Sequence, residues 1–366
     1  MDEQQWTLMD YIMDQPRALK SLRQNYQISS NPMVELFRKY PIKKVYMVGS
    51  GTSYHASFIL KKYFAKYLSV DVSVIPPKTF ALYETINLGN HFQKDEILVI
   101  ALSQSGTSFS TISAVKKAKD AGFRTVVLTD AIESPITAFA DLTVKLLSGV
   151  EWVPPETRGY TVAVLTLYLW ALDIALALGK IETESYSGRL LEIDTMISHL
   201  PSVIEASKDY FERNKYELLM MQKGDVGGYG INYATALEAA LKVGECFHRK
   251  VVGSELEEIL HGPEMGFDDN NYLFMIRQEA SEAERVSETA DFCRPITKHV
   301  FIINADPSTA TEKDFVFPHQ TTDDLSPIFM IIPFHIYAAL ATEAVGIDTR
   351  LYPHKLYGHG LGHKQL

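Results

Sequence analysis

Apolar positions along the chain follow two rhythms. Short Val/Ile/Leu-rich runs occur at Val45–Val48, Val72–Ile75, Ile97–Leu102, Thr125–Thr129 and Leu142–Leu146. Their brevity and β-branched content predict strands. Between them lie stretches with helical spacing, Ala56–Lys66 and Ile112–Ala121, the second ended by Gly122. A strand–helix alternation of this kind implies a parallel sheet covered by helices on both faces. Ahead of it, residues 5–27 carry Trp6, Met9, Ile12, Met13, Leu19 and Leu22 at helical spacing, with Pro16 predicted to interrupt or restart the helix. A long helical section follows, from Thr161 to Lys208.

The pattern then restarts. Gly49-Ser50-Gly51-Thr52-Ser53-Tyr54 is echoed by Gly228-Tyr229-Gly230-Ile231-Asn232-Tyr233. Further strands are predicted at Tyr272–Ile276 and Val300–Ile303, and a final helix from about Pro327 to Val345. The expectation is an α/β protein made of two tandem copies of one domain, each a three-layer α/β/α sandwich. Its expected divisions are a helical segment over 1–40, a first domain over 41–200, a second over 201–345 and a tail over 346–366.

Composition narrows the function. The 366 residues carry a formal net charge of −10, which argues against a nucleic-acid-coating protein. The field of the whole protein does not attract an anion, so an anionic substrate has to be captured by locally aimed dipoles. Cys246 and Cys293 stand in no metal-finger spacing, so neither a disulfide framework nor a zinc ribbon is expected. The opening residues Met1–Gln5 show no signal-peptide pattern. The apolar stretch Thr161–Leu178 contains Asp173 and reads as a buried helix rather than a membrane span. A cytoplasmic location without membrane association is expected.

The run Ser103-Gln104-Ser105-Gly106-Thr107-Ser108 joins the strand Ile97–Leu102 to the helix around Ile112–Ala121. A helix start offers unspent N–H groups and a positive dipole end, and the serines add hydroxyl donors. A phosphate ester fits such a turn. No lysine follows, which excludes the nucleotide-binding Gly-x-x-x-x-Gly-Lys loop. The same turn also reads as an ordinary capped helix.

Several segments in order resemble the SIS (sugar isomerase) family. They are Met13-Asp14-Gln15-Pro16, Gly51-Thr52-Ser53-Tyr54, Ser103-Gln104-Ser105-Gly106, Ala236 to Glu245, and Glu258-Ile259-Leu260-His261-Gly262-Pro263. The resemblance extends over about residues 9–357. It is closest to the tandem-SIS isomerase half of glucosamine-6-phosphate synthase and to the fructosamine-6-phosphate deglycases. It implies that Ser103, Ser105, Thr107 and Ser108 hold a sugar 6-phosphate, with Gly51, Thr52 and Ser53 contributing from the first turn. Gln104 bonds either the phosphate or a ring hydroxyl. Glu245 matches the family's base, which moves a proton between C1 and C2. Lys242, three residues earlier on the same helix face, matches the lysine beside it; taken alone, the two make an ordinary surface ion pair. His261 matches the ring-opening histidine, which in the relatives reaches the site from a partner subunit. A homodimer or higher assembly is therefore expected, with no cofactor and no metal.

Two departures bear on the reaction. Pro154-Pro155-Glu156-Thr157-Arg158-Gly159-Tyr160 replaces the synthase's small Ala-Ser-Thr-Lys-type loop. Glu156 there either meets a substrate amine or caps a helix. Lys355 falls out of register with the synthase's imine-forming lysine, so no imine to the protein is expected. The spacing of His354, His359 and His363 favours a mobile tail over a metal site. The chain as given starts at the isomerase section, so glutamine-dependent synthesis is not expected of it. The preferred expectation is a deglycase of a fructosamine 6-phosphate. An aldose–ketose isomerase or an amino-sugar-phosphate deaminase comes second, and a non-catalytic phosphosugar sensor third.

Overall fold

The computed structural model describes residues 3–278 and 283–354. The chain forms two compact units, each built on its own parallel sheet. The first sheet contains β1 (Lys44–Val48), β2 (Asp71–Val74), β3 (Ile97–Leu102), β4 (Arg124–Thr129) and β5 (Leu142–Lys145), in the order β2-β1-β3-β4-β5. Register runs Lys44↔Asp71 and Lys44↔Ile97 about β1. β1 and β3 are buried along their whole length, as a sheet covered on both faces requires. The second sheet contains β6 (Lys223–Gly228), β7 (Lys250–Glu255), β8 (Asn271–Ile276) and β9 (His299–Ile303), in the order β7-β6-β8-β9. It repeats the first four-strand order without the fifth strand. The expectation of an α/β protein with two parallel sheets flanked by helices holds.

The helices are α1 (Leu8–Asn25), α2 (Gln27–Lys39), α3 (Thr52–Tyr63), α4 (Pro77–Leu82), α5 (Phe109–Asp120), α6 (Arg158–Ala177), α7 (Thr183–Met220), α8 (Asn232–Phe247), α9 (Ala283–Cys293), α10 (Ser326–Met330) and α11 (Ile332–Ala344). α1 runs unbroken through Pro16, contrary to the predicted interruption. An interior proline costs a helix about 3 kcal/mol. Tyr11, Ile12, Leu19 and Leu22, all buried around it, offset that loss. The predicted final helix is broken at Ile331 into α10 and α11.

The compact units do not follow a simple N-to-C division. One gathers the chain up to Pro16, Trp152–Thr157 and Glu192–Leu351, with the second sheet. The other gathers Arg17–Glu151 and Arg158–Leu191, with the first. Among the described residues, two segments, Arg158–Ala177 and Asp323–Ala344, are long and apolar enough to cross a membrane, yet 83% and 94% of their apolar windows are buried within the protein. They are core helices here, as expected for Thr161–Leu178.

Candidate active site

In the first unit, two turns at the C-terminal ends of β1 and β3 bring hydroxyls together. Ser50 Oγ lies 3.5 Å from Ser108 Oγ and 3.4 Å from both Ser110 Oγ and Thr111 Oγ1. Thr111 Oγ1 donates to Ser108 Oγ at 3.0 Å, and Ser105 Oγ lies 2.9 Å from Thr107 Oγ1. Ser108 is the N-cap residue of α5, but its side chain makes no capping bond. The first N–H groups of α5 are thereby left to an incoming acceptor. Thr52 and Ser53 open α3 directly after Gly51, with Thr52 buried. Ser50, Ser110 and Thr111 were missed by sequence reasoning. The signal was present, since serine and threonine fill both turns, but only the fold shows which hydroxyls meet.

The loop is braced from below. Ser103 N donates to Leu128 O at 3.0 Å and Gly106 N to Ser103 O at 3.2 Å. Gly106 has φ +64, and a side chain there would collide with Ser134 Oγ at 1.8 Å. Ile136 N donates to Gly106 O at 3.2 Å. Gln104 is held at both ends. Its backbone O accepts from Asp130 N at 3.2 Å and Thr129 Oγ1 at 3.0 Å. Its Nε2 donates to Ser148 Oγ at 3.1 Å and Gly149 O at 3.3 Å.

The carboxylate at the start of α6 is that of Glu151. It accepts from Gly159 N at 2.8 Å and Arg158 N at 3.3 Å, as an anion at a helix N-terminus should. Glu156 is half-buried and lies in the other compact unit.

In the second unit, α8 carries the candidate base. Glu238, Lys242 and Glu245 share one face at helical spacing. Lys242 is only 1% exposed, so the surface ion pair read from spacing alone is replaced by a buried one. Its Nζ hydrogen-bonds Glu245 and lies 3.4 Å from Glu238 Oε1. Burial works against the ammonium, but the charges of Glu238 and Glu245 outweigh it and hold Lys242 protonated, with its pKa well above the ordinary lysine value. Glu238 is 0% exposed and Glu245 33%. Of the three groups, Glu245 is therefore the one open to solvent. Cys246, next in sequence, has its thiol pushed up by burial and stays inert.

His335 on α11 is also fully buried, and Gln15 Nε2 lies 3.1 Å from its Nδ1. Sequence reasoning missed Glu238 and His335. His261 is exposed, after the short turn Glu257–Leu260 and before Gly262. His354 is exposed, while Lys355, His359 and His363 lie outside the described residues. Among the described residues, no group of three or more His, Cys, Asp and Glu side chains is placed to hold a metal ion.

Residues 40–176 match the SIS domain. A glutamine–fructose-6-phosphate aminotransferase (isomerizing) of Thermococcus kodakarensis is 26% identical over 335 residues, covering 90% of this chain and 54% of that protein. The chain thus spans about half the length of this relative. A Clostridium difficile 630 protein, provisionally described as a phosphosugar isomerase, has a structure that superposes with a TM-score of 0.87 at 27% identity, over 99% of both chains. The C-terminal domain of glucosamine-fructose-6-phosphate aminotransferase from Francisella tularensis shares the fold, with a TM-score of 0.82 at 20% identity over 94% of this chain and 97% of that one. The residues that hold the first sheet and its hydroxyl-lined turns thus match the SIS domain, and the chain as a whole is similar to proteins described as phosphosugar isomerases and to the isomerase half of the aminotransferases.

Proposed function

We propose that the protein is an enzyme of phosphosugar metabolism that cleaves a fructosamine 6-phosphate, a sugar–amine conjugate, into an aldose 6-phosphate and a free amine. The observation that carries this reading is the charge group on α8, in which one carboxylate of three ionised groups is presented and the other two groups are buried behind it. A carboxylate held in this way suits a general base. Ser103, Ser105, Thr107 and Ser108, with Gly51, Thr52 and Ser53, hold the 6-phosphate. His261, supplied from a second copy of the chain in a homodimer or larger assembly, opens the sugar ring by moving a proton between ring oxygen and anomeric hydroxyl. Glu156 meets the amine portion.

Glu245 then removes a proton from C1, adjacent to the C2 carbonyl, and the C1–C2 enaminol forms. Delivery of that proton to C2 gives an imine at C1. Water adds to the imine carbon, the C1–N bond breaks, and amine and aldose 6-phosphate leave. Lys242 keeps Glu238 as its counter-ion while Glu245 is protonated, so the buried charge stays balanced. No cofactor or metal takes part, and the reaction belongs in the cytoplasm.

A substrate panel tests the reading. Phosphorylated Amadori compounds should release free amine and glucose 6-phosphate in equal amounts. Glu245→Gln should lower turnover by about 10³-fold, within the range of a lost general base, while retaining phosphosugar binding. Turnover of hexosamine 6-phosphates with inert Amadori compounds would replace deglycation by isomerisation or deamination. Binding without turnover of any phosphosugar by the unsubstituted protein would make it a sensor.

A further inference from the structure

Gln104 lies inside the hydroxyl-rich loop, where a side-chain amide would ordinarily be read as a donor to phosphate. Its hydrogen-bonding capacity says otherwise. A carboxamide has two N–H donors and one carbonyl acceptor. Both donors already have partners, Ser148 Oγ at 3.1 Å and Gly149 O at 3.3 Å. The remaining atom, Oε1, is buried without a hydrogen-bond partner. It lies flat against Gly159, where a Cβ would meet it at 2.7 Å. An anion gains nothing from an acceptor.

The direction of this chain of bonds is set from Asp130. Ser148 Oγ donates to Asp130 Oδ2, and Ser148 N lies 3.2 Å from each carboxylate oxygen. Ser148 Oγ also approaches Gly149 O at 3.3 Å, but a carboxylate is the stronger acceptor for its single proton. With that proton committed to Asp130, the lone pairs of Ser148 Oγ face Gln104 Nε2. Asp130 also reaches Gln104 from the other side, through its own N–H to Gln104 O at 3.2 Å. Gln104 is therefore fastened at its backbone by Asp130 and Thr129 and at its side chain by Ser148 and Gly149. Burial raises the Asp130 pKa, and the bonds from Ser148 and the neighbouring backbone oppose that rise.

We infer that Gln104 is a clasp rather than a phosphate ligand, and that Asp130 and Ser148 are positioning residues that fix the phosphate loop through it. The inference rests on the reading of this loop as the phosphate site. It assigns Gln104, Asp130 and Ser148 to the affinity for the 6-phosphate and not to the proton transfers on Glu245.

Equilibrium binding of glucose 6-phosphate and steady-state kinetics on the substrate found active in the panel test this on the full chain. Ser148→Ala should weaken glucose 6-phosphate binding about tenfold, the worth of one hydrogen bond to a charged group. KM should rise by a similar factor with kcat almost unchanged. Ser148→Thr, which keeps the hydroxyl, should restore binding. Asp130→Asn should weaken binding at least as much, because its amide donates to Ser148 Oγ and reverses the chain. If Gln104 instead donates to the phosphate, freeing its amide by Ser148→Ala leaves binding unchanged or tightens it, and that result overturns the clasp. A fall in kcat alone also overturns it. Retained far-ultraviolet circular dichroism and unfolding midpoint separate these outcomes from misfolding; if Ser148→Ala does not fold, Ser148→Cys and Asp130→Asn carry the test. Absence of glucose 6-phosphate binding by the unsubstituted protein would remove the phosphate-site reading itself, a result distinct from unaltered binding in the variants.

Discussion

The two sheets share a strand order but finish their central strands differently. In the first, β1 and β3 end in turns whose hydroxyls bond chiefly to one another, with Ser50 at 3.4–3.5 Å from three partners. In the second, the equivalent strands β6 and β8 end in a closed network. Asn232 Nδ2 donates to Gln278 Oε1 and to Ser326 Oγ at 2.9 Å, Ser326 Oγ to Gln278 Oε1 at 3.1 Å, and Thr235 Oγ1 to Asn232 Oδ1 at 2.8 Å. Tyr229 OH closes the turn on Gln278 O at 2.7 Å. Polar groups that are satisfied internally and buried have little to gain from a ligand. Weak hydroxyl–hydroxyl contacts at long distances are readily exchanged for an anion. The shared strand order therefore does not carry the proposed phosphate cradle into the second unit. The second unit offers instead the charged face of α8, the helix that follows its closed turn.

The sharpest break of this contrast removes the ammonium from α8. Lys242→Met leaves the Glu238 carboxylate buried without its ammonium, and loss of one partner of a buried pair costs about 3–5 kcal/mol. Chemical denaturation should show that loss, and Glu238→Gln added to Lys242→Met should recover much of it. An unchanged midpoint for Lys242→Met would mean that the buried charges do not organise the helix.

Much of this contrast was legible in the chain. The run at β3 is apolar throughout and that at β1 from Val45 to Val48, because both faces are covered, and the serine-bearing turns stand directly after them. Glu245 and Lys242 were found through the motif around them. Glu238 was not, since a glutamate on a helix reads as solvated until α11 packs against that helix and closes it off. β7 was missed because Lys250–Glu255 contains Gly253 and sits at the edge of its sheet, with Lys250 and Val252 exposed. Pro16 misled for a related reason: local propensity forecasts a break, and tertiary burial of its neighbours overrides it.

A pair of glycine substitutions probes the two turns at smaller cost. Gly106→Ala meets both a left-handed φ of +64 and the Ser134 side chain, and should cost about 1–3 kcal/mol. It should also abolish measurable glucose 6-phosphate binding. Gly230→Ala, in the turn after β6, meets the same backbone penalty at φ +59 but open space around it. A loss of about 1 kcal/mol with unchanged binding is expected there. Equal loss of binding in both variants, measured by titration calorimetry, would show that the second turn contributes to the cradle after all.

The smallest effect concerns pH, and its sign differs between the units. Burial pushes the His335 imidazole down to about 3, and the Lys242 charge adds to that while Glu238 opposes it. Gln15 is its hydrogen-bond partner at 3.1 Å. A folded pKa below the unfolded value of about 6.5 means that the unfolded chain binds the extra proton. This contribution to stability is complete above about pH 6.5 and is lost as pH falls toward 3, by up to about 1.4 kcal/mol per pH unit. Asp130, raised by burial in the first unit, contributes with the opposite sign: its share is present at low pH and is lost as pH rises through its folded pKa. Acidification therefore weakens the second unit through His335 while it relieves the first through Asp130. His335→Gln keeps an amide opposite Gln15 and removes the titration. Its unfolding free energy, followed from pH 7 down to pH 5, should fall less steeply than that of the unsubstituted protein, by close to one proton's worth of slope. Parallel curves across that window would show that His335 is not the group that ties the second unit's stability to pH.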